Sequence, residues 1–174
     1  VERVGEVNYH YNGPARTLEH GTRTIRPATL ADSRFIYNLA MDPSVREMST
    51  RSEAFSWEAH QDWYAEKLTN GRNRIWIMEV EDIPVGQVRY GRCECEEDAE
   101  IAISISPAHR GKGYGADLLR TTEPWAMDWL HVRKLVALVL KDNEASCRLF
   151  LGCGYMIDGT EMRMDKSHWR FVKQ

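Results

Sequence analysis

One stretch restricts the fold more than any other. Glu100 to Ser106 alternates Ile101, Ile103 and Ile105 with Ala102, Ser104 and Ser106, the period of two shown by a half-buried strand. The segment Ser106-Pro107-Ala108-His109-Arg110-Gly111-Lys112-Gly113-Tyr114-Gly115-Ala116 follows directly. Beyond it Leu118, Leu119, Trp125, Ala126 and Trp129 recur at helical spacing. A strand therefore passes through a glycine-rich turn into a helix. Glycines at alternate positions let the main chain approach a ligand closely and turn several N–H groups toward one point. The helix adds its positive end, and Arg110 and Lys112 add charge, which makes an anion site suited to a diphosphate. The plain alternative is a glycine-rich turn carrying solvated cations.

The elements around this turn predict an α+β domain built on one mixed sheet. Thr24 to Pro27 reads as a short strand, and Thr29 and Asp32 have the spacing of a helix N-terminus before Phe35, Ile36, Leu39 and Ala40. Asp42-Pro43 ends that helix. Ser56 can cap a second one with an aromatic side of Trp57, Trp63, Tyr64 and Leu68. Ile75–Val80, a Glu81-Asp82 turn and Val85–Arg89 read as a hairpin. Pro124 should kink the helix after the glycines. Leu135–Leu140, continuously apolar, reads as a strand covered on both faces. A helix from about Asn143 to Leu151 and two strands near Tyr155–Ile157 and Met162–Asp165 complete the order. Residues 1–23 are polar and aperiodic, an N-terminal arm or hairpin, and 24–174 form one domain.

Composition removes several function classes. With 23 Lys and Arg against 26 Asp and Glu, the formal charge of −3 gives no basic surface for nucleic acid. No apolar run approaches the roughly 18 residues of a membrane span. Four cysteines, Cys93, Cys95, Cys147 and Cys153, read as reduced thiols of a cytoplasmic protein more than as a disulfide framework. No charged-then-apolar leader opens the chain. Cys93-x-Cys95 lacks a second pair at zinc spacing, and the six histidines form no ligand pair, so no metal is expected. Cys147 and Cys153 read as small buried thiols more readily than as nucleophiles.

Two phosphate-binding motifs compete for the glycines. Gly111, Gly113 and Ala116 satisfy G-x-G-x-x-A, but a dinucleotide fingerprint follows the first strand of a long βαβ series. Here it follows several strands, and no acidic ribose partner stands near His131–Lys134. No G-x-x-x-x-G-K-[ST] string exists either. Instead Arg110, Gly113 and Gly115 match R/Q-x-x-G-x-G/A. Asn143, Ser146, Leu149, Phe150, Gly154 and Tyr155 match N-x-x-A/S…L-Y/F…G-F/Y at the right distance. From about Thr24 to Lys166 the chain resembles the GNAT superfamily of acyl-CoA N-acyltransferases. The similarity is to the branch related to ribosomal-protein acetyltransferases and nucleotide-amino-sugar N-acetyltransferases.

The resemblance implies a mostly antiparallel sheet with helices on both faces and acetyl-CoA as cosubstrate. Its diphosphate would lie on the amides of Arg110, Gly111, Lys112, Gly113, Tyr114, Gly115 and Ala116. Its pantetheine would pair with the strand through Ile103, Ile105 and Ser106, and Asn143, Ser146 and Phe150 would line the donor arm. A main-chain N–H near Ile105 would stabilise the oxyanion. Acetyl transfer to an amine needs a base, since the amine is largely protonated at neutral pH. Glu100, at the start of the strand, is the candidate, with Glu79 and Glu97 weaker and a surface charge as the plain alternative. Relatives often keep a Tyr where Phe150 stands, so the thiolate would take its proton from Tyr155 or from water, although Tyr155 also fits a core position.

Acceptor choice falls to the early helices. Asp42-Pro43-Ser44-Val45-Arg46 and Ser56-Trp57-Glu58-Ala59-His60 with Trp63 resemble the amino-sugar branch, although Leu39-Ala40-Met41 replaces its usual triplet. Arg46 would pair a phosphate, and Trp57, His60 and Trp63 would supply a stacking face and a hydrogen bond. The two tryptophans also sit at core spacing. The expected activity is N-acetylation of a small-molecule amine, a nucleotide-linked amino sugar first. A protein N-terminal or ribosomal-protein acetyltransferase and a non-catalytic acyl-CoA-binding module are the alternatives. A homodimer is compatible with either enzyme.

Overall fold

The computed structural model describes residues 16–19, 22–94 and 97–174. Among the described residues eight strands form a single sheet in the order β1-β2-β3-β4-β5-β6-β8-β7. They are β1 Arg16–Glu19, β2 Thr22–Pro27, β3 Asn73–Val80, β4 Ile83–Arg92, β5 Asp98–Ile105, β6 Lys134–Leu140, β7 Met156–Arg163 and β8 Lys166–Lys173. Every neighbouring pair is antiparallel except β5 with β6. The helices are α1 Ser33–Met41, α2 Pro43–Arg46, α3 Trp57–Thr69, α4 Tyr114–Leu130 and α5 Glu144–Gly152.

Local signals explain the early elements. The Thr29 amide bonds the Asp32 carboxylate at 2.7 Å, and a short 3₁₀ turn leads into α1. Asp42 ends α1, and its side chain accepts from the Ser44 amide to start α2 behind Pro43. Ser56 Oγ accepts from the Ala59 amide at the head of α3. Glu81 and Asp82, both with positive φ, make the tight β3–β4 turn.

Alternation along the strands divides the core between two faces. On one side α4 and α5 cover Trp76, Met78, Val88, Tyr90, Ile101, Leu135, Ala137 and Phe171. On the other, α1 and α3 close Ile36, Tyr64, Ile75 and Ile77 into a smaller cluster. α4 runs as one helix from Tyr114 to Leu130, with Pro124 inside it.

The C-terminal strands differ most from expectation. Met164 and Asp165, assigned from sequence to a strand, are the turn between β7 and β8, with φ of +51° and +59°. Such turns are signalled by Asn-Gly or Asp-Gly, and Met-Asp carries no such mark. The strand after it, in which His168 and Phe171 are fully enclosed, therefore has no local mark to set it apart in the sequence. At the other end β2 begins at Thr22, and residues 16–19 pair with it; the expected turn at Tyr9–Pro14 lies outside the described residues.

Candidate active site

The sheet opens at one seam. β5 and β6 pair only from Asp98 opposite Lys134 to Glu100 opposite Val136, and diverge beyond. The Cys93 amide bonds the Asp98 carbonyl and the Ser106 amide bonds the Val85 carbonyl, so even-numbered residues of β5 turn their main-chain groups to β4. The odd-numbered ones face β6. Past the last pairing, the main-chain groups of Ile103 and Ile105 therefore face the gap. The Ile105 carbonyl accepts Arg110 Nε at 3.1 Å. An extended arm with amide groups can complete this edge as an added strand would.

At the mouth of the gap stands the glycine turn. Gly111 and Gly113 have φ of +74° and +82°, values that glycine adopts at no steric cost, and a Cβ at either would meet nothing within 4 Å. Gly113 caps α4, and its carbonyl accepts from Ala116 and Asp117. Among the described residues nothing accepts from the amides of Gly111, Lys112, Gly113, Tyr114 and Gly115. Five consecutive unpartnered N–H groups at the positive end of a 17-residue helix form a strong anion site. Lys112 and Arg110 are exposed beside it. Gly115 serves packing, since a Cβ there would lie 3.2 Å from Leu149 on α5. The Tyr114 ring is buried, with the Arg23 guanidinium 4.9 Å from its centroid, so only its amide reaches the turn. Asn143 caps α5, its Oδ1 accepting from the Ser146 amide.

Glu100 marks the point of divergence. Its Oε2 accepts from Arg163 Nη1 at 2.8 Å, an arginine brought in by β7 and held also by Glu161. About a third of the Glu100 side chain remains exposed, on the face that carries Arg89, Ala102 and Ser104. A cavity of about 360 Å³ lies there, lined by Glu100, Arg89, Asn73, Gly91, Glu66 and Cys93 among others. A cavity of about 370 Å³ at Asp128–His131 opens at the opposite end of α4, about 25 Å along the helix from the glycine turn. Of the other two carboxylates considered as bases, Glu79 is bound to Arg26 at 2.7 Å and Glu97 is an exposed loop residue.

Several residues assigned to the site from sequence lie elsewhere. Tyr155 is 2% exposed, and its hydroxyl donates to Glu123 Oε1 at 2.7 Å beneath α4. Burial first, then the Glu123 charge, pushes its pKa far up. It is a structural hydrogen-bond donor, not the general acid. Phe150 is also 2% exposed and packs against Tyr155 and Phe171, so the phenyl ring that replaces a phenol fills core instead of lining the donor arm.

His60 is likewise enclosed, its Nε2 3.0 Å from the Ser33 carbonyl and its ring stacked on Tyr64 and Trp57. Burial lowers its pKa. It joins α3 to α1 and does not face an acceptor. Trp57 belongs to the same aromatic group, covered by the Arg34 guanidinium at 3.6 Å. Trp63 alone of the three is exposed, with Arg89 5.7 Å from its ring. Arg46 lies over Phe55 at 5.1 Å, and its Nε and Nη2 have no partner among the described residues.

The thiols do not suggest covalent chemistry. Burial raises the pKa of both Cys147 and Cys153, which opposes thiolate formation. No group of metal-ligating side chains occurs among the described residues, and Cys95 lies outside them. No helix described is long and apolar enough to cross a membrane.

Sequence reasoning overlooked Arg163 and the contact between Thr50 Oγ1 and His168 Nε2 at 3.0 Å, which ties the loop before α3 to β8. Partners 63 and 118 residues apart leave no local signal. Arg89 could have been found, because Gln87 and Arg89 alternate with Val88 and Tyr90 and mark the open face of β4.

Known proteins share this fold. Residues 23–156 match the model of the acetyltransferase (GNAT) domain. The uncharacterized N-acetyltransferase YfmK of Bacillus subtilis is 31% identical over 104 residues, which cover 58% of this chain and 66% of that protein, just under two thirds of its length. The spermidine N(1)-acetyltransferase of Vibrio cholerae is 23% identical over 142 residues, covering 78% and 80%. The crystal structure of a V. cholerae spermidine N-acetyltransferase with CoA and spermine superposes with a TM-score of 0.77 at 21% identity, over 87% of this chain and 94% of that one. The structure of yncA from Salmonella typhimurium, solved with its cofactor acetyl-CoA, gives 0.74 at 20% identity, over 87% and 93%. Since the family match spans the diverging strands and the glycine turn alike, this chain belongs to the GNAT acetyltransferase domain family.

Proposed function

We propose that the protein transfers an acetyl group from acetyl-CoA to the primary amine of a small molecule. The observation that carries this reading is the parting of β5 from β6 beside five unpartnered amides. Together they offer a main-chain edge for an amide-bearing arm and a cradle for its diphosphate. When bound, the cosubstrate supplies the activated acetyl group. The rest falls to the chain's own residues. Gly111 to Gly115 hold the anion, and Ile103 and Ile105 align the arm. Glu100, directly or through water, takes the proton that the amine must lose, a role that contributes on the order of 10²–10⁴ in rate. In the balanced reaction a C–N bond forms as the C–S bond breaks. The amine's proton passes to Glu100, and the departing thiolate is protonated from water, since neither Phe150 nor Tyr155 can serve.

The acceptor is small. A space of about 360 Å³ stands at the low end of the roughly 300–1,000 Å³ of ligand sites. The nucleotide-linked amino sugar expected from sequence loses its support, because Trp57 and His60 turn their rings to each other and to α1. Thiol release from acetyl-CoA across a panel of primary amines tests the activity. Amine-dependent release supports it, whereas CoA binding with no acceleration by any amine would leave a binding module.

A further inference from the structure

The open face holds a charged group that acetyl transfer itself does not require. Arg89 stands on β4 opposite Ala102, one step along the ladder from Gly91 and Glu100, and shares their face. Three other arginines on this side are neutralised: Arg163 by Glu100 and Glu161, Arg170 by Asp98 and Asp158, Arg26 by Asp32 and Glu79. Arg89 is not. Among the described residues no carboxylate comes within ion-pair distance of it, and its one hydrogen bond is a long, neutral contact from Nη1 to Asn73 Oδ1 at 3.3 Å.

Its surroundings preserve this state. The guanidinium lines the cavity that also contains Glu100, and Trp63 lies 5.7 Å away as a partial cover. A Cβ at Gly91 would come within 2.9 Å of Asn73 Oδ1 and 3.3 Å of Arg89 Nη1, so glycine at that position keeps the pocket wide enough for both. Burial pushes the Arg89 pKa down, opposed by the charges of Glu100 and Glu66. A partly covered guanidinium with most of its donors unused is costly until an anion meets it, and its planar fork suits a two-oxygen group.

We infer that Arg89 receives an oxyanion carried by the acceptor, which makes the acceptor an amine of amino-acid size bearing a carboxylate or phosphonate. This rests on the acetyltransferase reading above. The ladder sets the spacing. Diagonal neighbours across an antiparallel pair lie about 7–8 Å apart at the backbone, within reach of long side chains. With the nitrogen at Glu100 and the anion on Arg89, only a few bonds separate the two groups. A long polyamine has nothing to place on Arg89.

The test uses matched acceptors that differ only in the anion: L-leucine against isopentylamine, L-phenylalanine against phenethylamine, and aminomethylphosphonate against methylamine, with spermidine alongside. Thiol release is measured for the full chain and for Arg89→Met and Arg89→Lys. The expected result is a kcat/KM about 10–100-fold higher for the anionic member of at least one pair. Arg89→Met should erase that ratio through KM, and Arg89→Lys should restore part of it. The leucine and phosphonate arms show which oxyanion is taken. If isopentylamine or spermidine reacts as well as every anionic acceptor, or if Arg89→Met keeps the ratio, the inference fails while the acetyltransferase reading stands. Absence of thiol release with every amine overturns both.

Discussion

Replacing Gly113 by valine separates two effects that the structure places on one residue. With φ at +82° and no heavy atom within 4 Å of a Cβ there, valine would extend into the open space in front of the unpartnered amides. A side chain in the left-handed region costs about 1–2 kcal/mol of folding stability. The second effect falls on the donor. Hydrogen bonds to a charged group contribute about 1.5–3 kcal/mol each, so denying a diphosphate two amides costs about 3–6 kcal/mol. That corresponds to a Kd for CoA roughly 10²–10⁴-fold weaker.

Titration calorimetry with CoA reads the second effect and thermal unfolding the first. Gly71→Val is the control, since Gly71 has φ of +68°, equally open surroundings and a place away from the turn. It should melt lower and bind CoA like the parent. If Gly113→Val also melts lower but keeps the parent affinity, the diphosphate does not sit on this turn and the reasoning from unpartnered amides is wrong.

Other perturbations act on separate parts of the site and the core. Glu100→Gln should lower kcat by about 10²–10⁴ near neutral pH. Part of the loss should return as pH rises toward the amine's own pKa, and a flat pH profile in this variant would argue that Glu100 is not the base. Tyr155→Phe breaks the bond to Glu123 and should cost about 1.5–3 kcal/mol in denaturant unfolding without slowing turnover; a stable but inactive variant would return Tyr155 to the chemistry. Because burial lowers the His60 pKa in the folded state, the unfolded chain takes up the proton first as pH falls through about 6.5. Stability is then full above that value and declines below it, and His60→Phe should melt with less dependence on pH between about 5.5 and 7.5. An equal slope in both proteins would exclude His60 as the source. Cys147→Ser should retain turnover, measured by thiol release, because burial opposes its thiolate.

What could be read from the sequence was what local chemistry controls. The Asp42 and Ser56 caps, the Glu81-Asp82 turn and the strand–glycine–helix passage each depend on residues within a few positions. The donor side of the site is of this kind, since its amides belong to consecutive residues. The acceptor side is not. Trp57 and His60 look equally suited to a cleft or to a helix contact, and only the packing of α3 against α1 decides between them. Tyr155 was ambiguous for the same reason until Glu123, 32 residues earlier, supplied its partner. Arg163 reaches Glu100 across 63 residues, and the turn at Met164-Asp165 that delivers it lacks the usual residues.

A crystal structure of the chain with CoA would show whether the donor lies along the glycine turn and the open seam. The proposed placement puts diphosphate oxygens within hydrogen-bond distance of the Gly111–Gly115 amides, the pantetheine against Ile103 and Ile105, and the thiol near Glu100 at the seam where β5 leaves β6. CoA bound at another surface, with that seam closed by side chains, would contradict it.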